Sequence, residues 1–79
     1  MSSLTKTYAA TATDIWFAES KMIVLLSDGR EIAVPIDWFP KLRDATETER
    51  SHWRLIGKGK GVHWPDLDED ISVSGLLQG

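Results

Sequence analysis

The residues of this chain that have chemistry to offer crowd into its C-terminal third. His63 is followed closely by Asp66, Asp68, Glu69 and Asp70, and the run Gly57-Lys58-Gly59-Lys60-Gly61 stands just ahead of it. Alternate aspartates can present oxygen ligands to Ca²⁺ or Mg²⁺. An EF-hand loop, however, needs glycine at its sixth position and glutamate at its twelfth. Counted from Asp66, those places hold Ile71 and Leu77. No metal site is expected. With Pro65 in front of them, the acids read instead as a capped turn whose aspartates accept backbone N–H bonds. The competing reading is an acidic patch that faces a partner.

His63 carries an imidazole and so has the chemistry of a general base. A base needs a nucleophile or a substrate proton. The chain has no cysteine, no G-x-S-x-G elbow and no serine in a nucleophile setting. His52 lies eleven residues before His63, without the i, i+4 spacing of a helical zinc pair. His63 is therefore expected to donate a ring N–H to Asp66 or Asp68 and order the turn; no catalytic residue is assigned and the chain is read as a non-enzyme. Gly57 to Gly61 lacks the G-x-x-x-x-G-K-[ST] pattern, and strand-like Val62-His63-Trp64 follows it instead of a helix N-terminus. It reads as a glycine loop or bulge, and no cofactor is expected. Lys58 and Lys60 on its tip, with Lys41 and Arg43, are the weak candidates for touching nucleic acid.

The elements that must position these residues are short. Asp14 to Ala18 reads as strand, with Tyr8 to Ala12 as an extension of it. Met22 to Leu26 is a continuous apolar run of strand length, which predicts a central strand buried on both faces. Asp28-Gly29 between apolar runs predicts a type I′ hairpin, with positive φ at both residues. Glu31 to Val34 alternates as a strand with one wet face, and Pro35 ends its pairing. Asp37 is a candidate cap for a helix over Trp38 to Ala45, with Pro40 in its first turn. Thr46 and Glu49 have capping-box spacing, predicting a second helix from Glu47 to about Trp53. Arg54-Leu55-Ile56 and Ile71-Ser72-Val73 read as strands, and Ser74 to Gln78 as a turn of helix. The fold class is α+β: a small antiparallel β-meander packed against one or two short helices, with a C-terminal strand. Residues 1–10 are expected to be a partly ordered segment and 11–79 a single domain.

Seventy-nine residues make one domain with a small core, and 42% hydrophobic against 27% charged residues is an ordinary globular balance. Four tryptophans, at 16, 38, 53 and 64, are many for this length, and each can bury on the order of 150–250 Å². Trp16-Phe17 on a strand and Trp38-Phe39 on a helix are adjacent pairs, so one ring of each can enter the core while the other faces outward. The absence of cysteine suits a reducing cytoplasm. The N-terminus has no signal-peptide pattern, and no run approaches the ~18 apolar residues of a membrane span. A net charge of −3 argues against direct phosphate-backbone binding, which Lys and Arg drive.

The strand-turn Leu26-Ser27-Asp28-Gly29-Arg30, then Trp38-Phe39-Pro40-Lys41-Leu42, Glu49-Arg50 and Trp53 form a recognisable series. It continues through Ile56-Gly57-Lys58-Gly59-Lys60-Gly61-Val62-His63-Trp64-Pro65-Asp66-Leu67-Asp68-Glu69-Asp70-Ile71-Ser72 to Gly75-Leu76-Leu77. This series resembles the DUF2442 family over roughly residues 12–79. The resemblance implies a bacterial α+β domain without an assigned catalytic activity. It also implies that some members stand beside small DUF4160-type proteins in a toxin–antitoxin-like arrangement, and that others carry an added helix-turn-helix domain. These 79 residues hold no such added domain.

The expectation that follows is a non-catalytic, cytoplasmic, protein-binding accessory, the antitoxin-like partner of a small toxin-like protein. The alternatives are a transcription-linked regulatory domain and a phage or mobile-element inhibitor acting by protein binding. The candidate partner contacts are Trp16, Trp38, Phe39, His63, Trp64, Asp66, Asp68, Glu69 and Asp70. Exposed sheet edges leave a homodimer open.

Overall fold

The computed structural model describes residues 10–78. Among them the chain forms two three-stranded antiparallel meanders and three short helices, the α+β architecture expected. The first sheet is β1 (Ala12–Ala18), β2 (Lys21–Leu26) and β3 (Glu31–Pro35), with β2 in the middle. Then come a 3₁₀ turn at Ile36–Trp38, α1 (Pro40–Arg43) and α2 (Glu47–Ser51). The second sheet is β4 (Arg54–Ile56), β5 (Gly61–Trp64) and β6 (Glu69–Ser72), closed by α3 (Val73–Gln78). The C-terminal strand thus joins a meander of its own. The expected segment over residues 1–10 lies, but for its last residue, outside the described residues, as do Tyr8 and Ala9 of the proposed strand extension.

One core serves both sheets. Ile15, Met22, Val24, Leu26 and Val34 from the first meet Val62, Trp64 and Ile71 from the second, with Leu42 of α1 and Val73 and Leu76 of α3 filling between. The central strand β2 is buried on this face alone. Met22, Val24 and Leu26 are buried, whereas Ile23 and Leu25 are half-exposed on the opposite face, so the expectation of burial on both faces is corrected. An apolar run signals a central strand without revealing whether a second layer exists to cover it.

The turns depart from expectation in an instructive way. Glu19 and Ser20 hold φ of 54° and 66° between the paired residues Ala18 and Lys21, so the two-residue primed turn sits there. At Ser27-Asp28-Gly29 only Gly29 has positive φ, at 92°. The Gly29 N–H donates to the Leu26 carbonyl at 3.0 Å and the Leu26 N–H to the Arg30 carbonyl at 2.8 Å, a three-residue loop ending in a glycine bulge. Asp28 closes the loop by accepting from the Arg30 backbone N–H (3.0 Å) and its Nε (2.8 Å). The backbone N–H of Arg30, with the guanidinium behind it, holds the Asp28 carboxyl below its ordinary value. A depressed folded-state pKa means this contribution to stability is complete above the unfolded value and is lost as pH falls through the folded one. NMR titration is expected to place the Asp28 midpoint below 3.8, returning toward it in Arg30→Ala, where the guanidinium is gone and the backbone donor remains.

The first helix is split. Phe39 adopts φ −127°, ψ 85°, outside the helical region, because the ring of the following Pro40 excludes it. Ile36–Trp38 therefore ends as a 3₁₀ turn, and α1 restarts with Pro40 at its first position. Asp37 lies inside that turn and caps nothing. In contrast, α2 has both arms of the expected capping box. The Glu49 N–H donates to Thr46 Oγ1 (3.1 Å) and the Thr46 N–H to Glu49 Oε1 (3.0 Å).

Candidate functional site

The acidic segment is the β5–β6 hairpin loop. The Leu67 N–H donates to the Trp64 carbonyl at 3.2 Å, closing a turn with Pro65 at its favoured second place, and Asp68 follows in the left-handed region at φ 52°. The aspartates were expected to accept backbone N–H groups. Asp66 and Asp70 instead face the two histidines. His63 pairs with Asp70 across the ladder, Nδ1 to Oδ1 at 2.5 Å, because the register sets them directly opposite on the outer face of the second sheet. Asp66 Oδ2 takes His52 Nδ1 at 2.8 Å, linking the end of α2 to the loop. The expected donation from His63 to Asp66 or Asp68 is corrected accordingly: it is directed to Asp70.

Lys41 reaches the same loop from α1. Its ammonium donates to the Asp68 carbonyl at 3.2 Å and stands 4.0 Å from Glu69 Oε1. Arg43 chelates the neighbouring Asp44 through Nε and Nη2, and this guanidinium holds the Asp44 carboxyl below its ordinary range. Of the four basic candidates, all exposed, Lys41 and Arg43 direct their charge to groups within the chain, while Lys58 and Lys60 stand on the Gly57–Gly59 turn and just after it. No group of three or more His, Asp or Glu side chains able to hold a metal ion occurs among the described residues.

The aromatics separate by role. Trp64 is wholly buried; its Nε1 donates to the Arg50 carbonyl at 3.0 Å, so it offers a partner no surface. Trp53 and Phe39 pack half-buried against the core. Trp16 is 38% exposed on the outer face of the first sheet. Trp38 is 53% exposed. It lines a groove of about 350 Å³ together with half-buried Phe39, buried Ile71 and Leu76, and exposed Asp70, Ser72 and Gly75. Trp38, Phe39 and Asp70 of the candidate set are thereby brought together, with His63 hydrogen-bonded behind Asp70. Ile71 and Leu76 were read only as strand and helix residues. No local signal marks them, because their place in the groove depends on how α3 folds back beside Trp38.

A second cleft, of about 440 Å³, opens between the Glu19-Ser20 turn and α2, with Phe17, Lys21, Ile36, Glu47, Arg50 and Trp53 in its lining. Arg50 is fully engaged there. Its Nε and Nη2 cap the Leu42 and Arg43 carbonyls at the end of α1, at 2.8 and 2.9 Å, while its guanidinium lies 5.6 Å from the Phe17 ring centre. This residue is structural, and none of the candidates falls in the cleft.

The family described as "Protein of unknown function (DUF2442)" matches residues 12–79. The chain belongs to the DUF2442 family. A DUF2442-type fold recurs in a protein of unknown function from Rhodospirillum rubrum, solved by crystallography. It superposes with a TM-score of 0.78 at 28% identity, over 91% of this chain and 89% of that one. An uncharacterised Chromobacterium violaceum protein solved by NMR shares the fold with a TM-score of 0.73 at 24% identity, over 86% of this chain and 64% of that one. No curated protein matches the chain.

Proposed function

We propose that this DUF2442 chain is a non-catalytic accessory that binds a basic protein partner through the Trp38 groove. The observation that carries the reading is Trp38 itself, a half-exposed indole lining an apolar groove together with a carboxylate. Tryptophans in such settings are enriched among the residues that dominate binding energy, and a ring of polar groups around them excludes water. Asp37, Asp66, Asp68 and Asp70 all stand exposed on the turn that carries Trp38 or on the hairpin beside it. Such a setting favours a partner bearing Lys or Arg next to an apolar side chain that fills the groove. Each histidine is paired with a carboxylate, and among the described residues no hydroxyl stands in hydrogen bond with either ring.

Within this reading the partner is a small toxin-like protein of DUF4160 type and the chain its antitoxin-like half, acting in the cytoplasm. The test is co-expression with the DUF4160-type product of a neighbouring gene, followed by affinity capture and growth. Co-purification and restored growth are expected. Trp38→Ala is expected to weaken capture at least about tenfold, as loss of a hot-spot tryptophan does, with no change in melting temperature. Failure to co-purify and to restore growth, or capture by Trp38→Ala equal to wild type, would sink the proposal.

A further inference from the structure

The outer face of the first sheet is a second apolar surface, separate from the groove. The cross-strand register arranges its outward residues as three rows: Asp14, Leu25, Glu31; then Trp16, Ile23, Ala33; then Ala18, Lys21, Pro35. Apart from exposed Thr13 at the register shift between Ala12 and Asp14, alternation assigns the other residues of these strands to the core side, and they are buried or half-buried. The middle row is wholly apolar, and no element among the described residues covers it: Trp16 and Ala33 are exposed, Ile23 and Leu25 half-buried. One outer row holds two carboxylates flanking a leucine. The other holds a single lysine between alanine and proline.

We propose that two copies of this chain associate face to face through these rows, the strands of one antiparallel to those of its partner. The charge pattern selects the occupant and its orientation. A two-fold axis along the middle row sets Trp16 and Ile23 against their own copies and inverts the outer rows. Lys21 of each protomer then lies over Leu25 of the other, its methylenes on the leucine and its ammonium between Asp14 and Glu31. Both outer rows are matched twice by one operation. A two-fold axis along the strands instead opposes Asp14 to Glu31 and Lys21 to Lys21, like charge on like. Two stacked sheets commonly pack with aligned strands, so the proposed geometry is an ordinary one.

The footprint is small. Three strands by five residues span roughly 14 by 17 Å, below the ~800 Å² per partner of a standard interface, so the dimer is weak. Sedimentation velocity from about 1 µM to 1 mM is expected to show monomer giving way to dimer across that range. Ile23→Lys, whose side chain points away from the core, is expected to remove association while leaving the circular-dichroism melt unchanged. Glu31→Lys, at an exposed position, tests the orientation separately. It weakens the antiparallel dimer by about fivefold, since each of two symmetric contacts turns repulsive. It strengthens the alternative arrangement, where the new lysine meets Asp14. Lys21→Glu likewise weakens self-association, and mixing it with Glu31→Lys recovers a heterodimer. A chain that stays monomeric at about 1 mM, association indifferent to Ile23→Lys, or a stronger dimer with Glu31→Lys would each overturn the proposal. Trp38→Ala leaves this dimer intact and Ile23→Lys leaves partner capture intact, so failure of one surface is distinguishable from failure of the other.

Discussion

Alanine at Trp64 is expected to cost about 3–5 kcal/mol, the range for removing a large aromatic from a packed core. For a chain of this length the whole stability is roughly 4–12 kcal/mol, so the loss is a large part of it. The position explains the size of the effect. Trp64 ends β5, is wholly buried, and its indole N–H is bonded to the Arg50 carbonyl on α2. The same Arg50 caps the end of α1 through its guanidinium. One side chain therefore ties the second sheet to α2, and through Arg50 to α1. Phenylalanine separates the two components. It keeps most of the apolar area and deletes only the N–H, which is expected to cost about 1–2 kcal/mol, a hydrogen bond together with some lost packing. Urea unfolding followed by circular dichroism reads both variants. A Trp64→Ala midpoint equal to that of Trp64→Phe would show that indole packing does not hold the sheets together.

Trp64 also shows how far local signals reach. Its type and its neighbours Pro65 and Asp66 marked a turn, and the turn is there. The side to which the indole points is settled by the Val62–Ile71 register, where Trp64 shares a face with Val62 against the core. Adjacent His63 consequently points outward to Asp70. The sequence placed His63 beside nearby acids in the chain, whereas antiparallel pairing selects a residue seven positions away. His52 and Asp66 are fourteen apart and meet only because α2 ends beside the hairpin. The capping box was legible in full because both of its bonds lie within four consecutive residues. The split of the first helix was missed: one helix over Trp38 to Ala45 was expected, yet the residue before a proline avoids the helical region, and that restriction outweighed Asp37 as a cap. The groove was half legible: Trp38 and Phe39 stood out by type, while Ile71 and Leu76 look like any core residues.

The glycines of the 57–61 segment give the second large effect. Gly29 and Gly59 have nearly equal positive φ, 92° and 89°, so each charges an alanine the same backbone penalty of about 1–2 kcal/mol. Their surroundings differ. A Cβ at Gly29 meets open space, whereas at Gly59 it falls 2.9 Å from the Ala12 carbonyl oxygen and 3.0 Å from Thr11 Cβ. The nearer of these is backbone at the start of β1, which cannot rotate away, so the overlap is relieved only by moving the two sheets apart. Overpacking of this kind costs about 1–3 kcal/mol more. Gly59→Ala is thus expected to destabilise by about 2–5 kcal/mol and Gly29→Ala by about 1–2 kcal/mol, both read from urea midpoints at constant m. Equal losses would mean that φ alone governs both sites and that Gly59 has no part in joining the sheets. The larger loss at Gly59 would assign the lysine-bearing turn a structural purpose: a residue without a side chain lets the β4–β5 connection lie against β1. Lys58 and Lys60 are then displayed by a turn built for packing, and their charge need not answer to any phosphate.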